Sequence, residues 1–271
     1  MIAVAQIVQA VDLTALLALS IKEAEDLDAS NPLRHFFASG GSSGRRTPKQ
    51  ADHALLPSQP PSISRQTTQL AFGREALNGR LPIPISLAVD ASPGCGGIAW
   101  PAGQVLAKYL VDLGPESVQG RRVLELGSGT GLVGLVAAAL GAQQVCITDQ
   151  LPLLDIMREN VLLNDLAANM TVMELNWGEE IPQDLFPLDV ILAADCVYYE
   201  PAFPLLVQTL SDLVTDAKTE VLFCYKKRRK ADKRFFALLK KKFDWAEVTD
   251  SLDHEVYSRE QISLLRLRKR Y

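Results

Sequence analysis

From Gly96 to Arg270, segments with a helical period alternate with short strand-like runs, and the links between them are short. Residues 102–113 carry Val105, Leu106, Tyr109 and Leu110 at i, i+1, i+4 and i+5, one face of a helix. Further helices are predicted over 132–140, closed by Gly141, and over 204–213 and 232–242. Another is predicted over 152–164, opening on Pro152, where the missing N–H costs little. Strands are predicted over 122–126, 145–148, 171–175, 189–194 and 220–225. This order requires an α/β fold, a mostly parallel sheet with helices on both faces. The last two predicted strands, 245–249 and 262–267, follow one another with no helix between, which predicts an antiparallel hairpin at the sheet edge. Ligands of such sheets bind at the carboxyl ends of the strands, so the residues just after each strand are the candidates.

A chain of 271 residues allows one large domain or two small ones at roughly 100–200 residues each. With 48% hydrophobic and 22% charged residues, fibrous and wholly disordered classes are excluded. The expected division is an N-terminal helix and short patch over 1–37, a mobile polar insertion over 38–80, and the α/β domain over 81–271. The insertion is inferred from the Gly/Ser/Pro/Gln-rich stretch 38–69. Residues 1–20 read as an amphipathic helix rather than a signal peptide: they lack a basic start, and an acidic stretch follows. No run of eighteen apolar residues exists, so no membrane span is expected. Cys95, Cys146, Cys196 and Cys224 form no CxxC pair, which predicts a reducing compartment, taken as the cytoplasm. With His35, His53 and His254 scattered as well, no metal site is expected.

The net charge of −4 conceals an asymmetry. Residues 98–217 hold four basic side chains against sixteen acidic ones, whereas 218–271 hold sixteen basic against eight acidic. The acidic middle suits cationic ligands or is a solvated surface. The basic run Lys226 to Arg229 and Lys230 reads first as a solvated loop. Docking of an acidic protein face or ribosomal RNA is the alternative, and a nuclear address a third.

The first strand runs into Glu125-Leu126-Gly127-Ser128-Gly129-Thr130-Gly131. Alternate glycines permit a sharp turn and close approach of a ligand, and the next helix offers its unpaired N–H groups. Gly134 completes a formal G-x-x-G, so spacing alone leaves dinucleotides open. Glu125 would repel a pyrophosphate and suits a cationic ligand such as S-adenosylmethionine; alternatively it caps the loop amides. Asp149 ends the second strand, where a carboxylate accepts ribose hydroxyls in NAD and S-adenosylmethionine sites alike. Trp177, after the third strand, can lie on an adenine face, and Trp100 can close the other side or approach a sulfonium. The fourth strand ends Ala194-Asp195-Cys196-Val197-Tyr198-Tyr199. Asp195 can orient an ammonium or cap a helix, and Tyr198 can wall a channel, with Tyr199 or Tyr257 as further aromatic candidates. The D/N-P-P-Y/F run of many nucleobase and amide methyltransferases is absent.

These landmarks resemble the seven-strand protein-lysine methyltransferases of the methyltransferase-like twenty-one type, which modify chaperones, valosin-containing protein and translation elongation factor 1A. The resemblance rests on Asn31–Arg34, Gly96–Trp100, Glu125–Gly131, Asp149, Asn176–Glu180, Ala194–Tyr199 and His254–Ser258. It is similar to the fungal elongation factor 1A enzymes and, nearly as much, to the valosin-type enzymes. The resemblance implies a Rossmann-like seven-stranded methyltransferase sheet. It implies S-adenosylmethionine contacts from Trp100, Gly127, Ser128, Gly129, Asp149, Trp177 and Ala194, with S-adenosylhomocysteine as product. Asp195 and Tyr198 match a D-x-x-Y that serves the substrate lysine. A monomer acting on a protein, elongation factor 1A first, is the expectation; another protein, or RNA, is the alternative. The chain departs from the family in its long polar insertion, where relatives have a short hairpin.

Overall fold

A computed structural model describes residues 65–73, 81–92 and 95–271. The expected helix at 1–37 and most of the insertion lie outside these residues. Two strands open the described chain, β1 (Gln66–Phe72) and β2 (Ile83–Val89), paired antiparallel. Within the polar insertion expected over 38–80, residues 66–72 thus form an ordered strand, β1. Gln66, Thr67 and Gln69 are all exposed, so no apolar run announces it.

Then follow α1 (Pro101–Leu113), β3 (Arg122–Leu126), α2 (Leu132–Ala139), β4 (Gln144–Asp149), α3 (Leu154–Leu163), β5 (Met170–Glu174) and β6 (Val190–Ala194). The chain continues through α4 (Phe203–Leu213), β7 (Glu220–Lys226), α5 (Asp232–Leu239), β8 (Phe243–Glu247), α6 (His254–Arg259) and β9 (Ile262–Lys269). Seven strands form one sheet in the order β5-β4-β3-β6-β7-β9-β8. β5 to β7 run parallel; β9 pairs antiparallel with both β7 and β8. The α/β class and mostly parallel sheet are as expected. The final strands do pair, but β9 inserts between β7 and β8, and the short helix α6 separates them.

Two apolar layers sandwich the sheet. α1, α2 and α3 pack on one face, where Leu106, Leu110, Leu135 and Met157 are buried. α4 and α5 cover the other, through Phe203, Leu206, Leu210 and Phe235. Each such side chain contributes about 1.5–3 kcal/mol on leaving water. Phe235 stacks on Phe223 of β7 with centroids 5.5 Å apart, which fixes α5 beside that strand. α1 starts on Pro101 and ends at Gly114, whose positive φ of 90° turns the chain away.

The β1–β2 pair is tied to the domain through α3. Asn164 accepts from the Ser86 N–H and donates to the Ser86 carbonyl. Asn160, fully buried, does the same for Ala88 and also donates to the Thr130 carbonyl at 2.9 Å. One asparagine thus joins β2, α3 and the glycine turn.

Candidate functional site

The parallel order β4-β3-β6-β7 brings the carboxyl ends of four strands side by side. The first is a turn after β3. Gly127, Gly129 and Gly131 have φ of 63°, 58° and 81°, a region side chains rarely adopt. A Cβ on Gly129 would stand 2.5 Å from the Gly96 carbonyl oxygen. A Cβ on Gly127 would crowd the Cys196 sulfur and the Trp177 ring. Alternating glycines are therefore required by close neighbours as well as by backbone angle.

Ser128 in the turn and Thr148 and Asp149 of β4 strap this turn in place. Ser128 Oγ donates to the Glu125 carbonyl and accepts the Thr148 N–H, both at 2.9 Å. Thr148 Oγ1 donates to the same Glu125 carbonyl. Asp149 Oδ2 accepts the Gly129 N–H at 2.8 Å, and Oδ1 accepts the N–H of Gln150. Asp149 remains partly exposed, with lone pairs left for a ligand, and burial raises its pKa.

Glu125 lies beneath the turn, 2% exposed. Its Oε2 accepts the Gly134 N–H at 2.8 Å, inside the first turn of α2. Burial pushes its pKa up to about 8 against these hydrogen bonds, so the carboxyl is mostly protonated at pH 7. The expected open charge facing a ligand gives way to the alternative, a carboxyl that accepts amides from below.

Trp177 is half-buried beside Gly127. The next residue, Gly178, donates its N–H to Thr209 of α4. Trp100 is also half-buried, its indole N–H donating to the Cys95 carbonyl at 2.7 Å. Ala194 ends β6, and Asp195 follows with φ 56°, a left-handed backbone unusual for a side-chain-bearing residue. Its carboxylate, 8% exposed as a residue, does not cap a helix; it turns toward β7. There it accepts the Lys226 N–H at 3.0 Å and N–H donors from both terminal nitrogens of the Arg228 guanidinium at 2.8 and 2.9 Å.

Tyr198 is 42% exposed. Its hydroxyl end is nonetheless desolvated and lies within the fields of Cys95, Asp149 and Cys196, which hold its pKa above the usual phenol range. Tyr199 is exposed, whereas Tyr257 is a buried residue of α6 donating to the Val248 carbonyl. Tyr257 is corrected from channel candidate to core.

The sequence reading missed three groups. Asn160 gave no signal beyond a polar residue on a helix. Arg228 and Arg229 belong to the run read as solvated, yet both are largely buried: Arg229 faces Asp232 at 3.5 Å. The signal for Arg228 was present as an unassigned partner for Asp195. Among the described residues no His/Cys/Asp/Glu group could hold a metal, and no helix is long and apolar enough to cross a membrane.

Residues 82–242 match the model of a family described as lysine methyltransferase. Protein-lysine N-methyltransferase EFM6 of Saccharomyces cerevisiae is 39% identical over 226 residues, covering 74% of this chain and 90% of that protein. EEF1A lysine methyltransferase 3 of Mus musculus is 40% identical over 123 residues, 44% of this chain and 51% of that one. Among solved structures, the T. thermophilus 16S rRNA N2 G1207 methyltransferase in complex with AdoMet and guanosine superposes with a TM-score of 0.51. It is 21% identical, covers 79% of this chain and 52% of that one, and shares the Rossmann-like fold. The match over most of the α/β domain, with a strand-tip row of glycine turn, carboxylates and aromatic rings, makes this chain a member of the lysine methyltransferase family, a protein-lysine N-methyltransferase.

Proposed function

We propose that the chain transfers the methyl group of S-adenosylmethionine to a lysine amine of translation elongation factor 1A. The observation that carries the reading is the juxtaposition at neighbouring strand tips of a strapped glycine turn with Asp149 and the Asp195–Tyr198 segment. The elongation factor target is supported by the similarity to the mouse enzyme named for EEF1A.

The residues present fit the donor. Asp149 keeps acceptor capacity after its two amide bonds and suits ribose hydroxyls. Trp177 offers an aromatic face beside the turn, and Trp100 one nearer Asp195. Backbone of Gly127, Ser128, Gly129 and Ala194 would line the donor's place, with Glu125 bonded to the start of α2 below. When bound, S-adenosylmethionine supplies an electrophilic methyl on a sulfonium leaving group.

The chain's own residues then position and desolvate. A lysine amine has a solution pKa near ~10.4 and must arrive without its proton. A channel walled by Tyr198 favours the neutral amine by excluding water. Orientation, rather than proton abstraction by a dedicated base, is the work left to the protein.

The test is transfer of tritiated methyl groups to purified elongation factor 1A, with mass spectrometry of its lysines. Label on a lysine that survives nuclease treatment supports the reading. Label confined to an AAA ATPase or Hsp70-type chaperone overturns the target, and label confined to RNA overturns the protein substrate.

A further inference from the structure

The carboxylate of Asp195 already has a cation. Arg228 binds it through two parallel N–H donors, the fork geometry that matches guanidinium to carboxylate. The side chains are 12% and 4% exposed, so water screens this pair little. The guanidinium carbon stands 5.0 Å over the Trp100 ring, whose indole N–H is itself bonded. The loop beneath is fixed too: the Arg228 N–H donates to buried Asp232, and the Lys227 N–H to the Gln261 carbonyl. Removing Arg228 from this position would leave the buried Asp195 carboxylate uncompensated.

An incoming ammonium therefore meets an Asp195 carboxylate whose charge Arg228 already compensates, so the pair offers it no net attraction. A second observation concerns Nε of Arg228, which is buried without a hydrogen-bond partner, so the guanidinium is not satisfied by the described residues alone. The arrangement is that of a closed ion pair, not of a bare carboxylate waiting for a lysine.

We propose that Arg228 is a positioning residue of the methyl-transfer site: clamped between Asp195 and Trp100, it compensates the Asp195 carboxylate, which would otherwise hold an incoming lysine protonated, and so favours the neutral amine. This rests on reading the Asp195–Tyr198 end as the substrate end. No group near it competes for the same pH range from the thiol or phenol side. Burial holds Cys95 before α1, Cys196 after β6 and Cys224 on β7 above the usual thiol range, and Tyr198 above the phenol range. The other charged groups are Asp149 on β4, Asp232 on α5 with Arg229 beside it, and part-buried Lys226; Glu125 beneath the glycine turn, with a pKa of about 8, titrates in wild type and variants alike.

The test measures the initial rate of tritiated-methyl incorporation into total lysate protein between pH 6.5 and pH 9.5, for wild type, Arg228→Gln and Arg228→Lys. Calorimetric binding of S-adenosylmethionine and a melting curve accompany each. A one-unit rise in the lysine pKa is tenfold in neutral amine, so Arg228→Gln should be about tenfold slower at pH 7 and approach the wild-type rate by pH 9.5. Arg228→Lys, which keeps the charge, should keep the wild-type pH profile whatever its absolute rate. An equal loss at every pH would make Arg228 structural and overturn the proposal, as would an unshifted Gln profile or a shifted Lys profile. If Arg228→Gln neither melts cooperatively nor binds the donor, the Lys profile alone decides. Should wild type label no protein at all, the proposed function itself fails, a result separate from any difference among variants.

Discussion

The two ends of the strand-tip row are held by different physics. At the β3–β4 end, a turn of alternating glycines is strapped by hydroxyls, amides and one mostly neutral carboxyl. At the β6–β7 end, a left-handed Asp195 is held by a buried bidentate ion pair. The first end depends on shape and hydrogen bonding, the second on charge. A site can therefore be damaged at one end by adding a methyl group and at the other by removing a charge.

The sharpest break is Asp195→Ala. It leaves the Arg228 guanidinium buried and unpaired, and should cost about 3–5 kcal/mol, read as a lowered urea midpoint. Gly129→Ala comes next. A left-handed alanine with a Cβ 2.5 Å from the Gly96 oxygen should cost about 1–3 kcal/mol of strain. Calorimetry should show S-adenosylmethionine affinity reduced on the order of 10- to 100-fold, without the charge effects of the first variant. Asn160→Leu should cost about 2–3 kcal/mol by leaving Ala88 and Thr130 backbone groups unpaired. Faster hydrogen exchange at the Ala88 amide would locate that loss.

The mildest test concerns pH. Glu125 has a folded pKa of about 8 against an ordinary value of 4.5, so the folded state holds a proton that the unfolded chain has lost. Its contribution is full below pH 4.5 and is lost as pH rises through 8. Glu125→Gln removes this dependence. The difference in urea midpoint between variant and wild type should therefore move in favour of the variant from pH 5 to pH 8.5. A constant difference would mean the carboxyl is ionised throughout.

Much of the fold was legible because buried parallel strands are nearly continuous apolar runs. Residues 122–126 were bounded as observed. Where burial is one-sided the reading failed: β1 alternates polar residues with Leu70 and Phe72 and was absorbed into the insertion. The helix predicted over 232–242 stops at Leu239, since Lys240 to Lys242 belong to the turn before buried Phe243. That shift also moved the predicted start of β8 two residues too far, to Trp245. α6 is six residues long, too short to register as a period. At the site, topology alone aligns strand ends, so Asp149, Trp177 and Asp195 could be chosen from their places after strands. Arg228 could not, because a run of five cations carries no mark of which one folds inward.

The asparagine pair on α3 has a consequence for solubility. Ser86 and Ala88 lie two residues apart on β2 and present their N–H and C=O groups to the edge not covered by β1. Two strand residues span about 6.6 Å, and four helical residues about 6 Å. Asn160 and Asn164, one turn apart, therefore offer amides at nearly the spacing of a neighbouring strand. β2 meets a substitute strand made of side chains. Another copy of the chain finds no row of free backbone donors there to extend, and an edge that invites sheet growth is closed without a further strand.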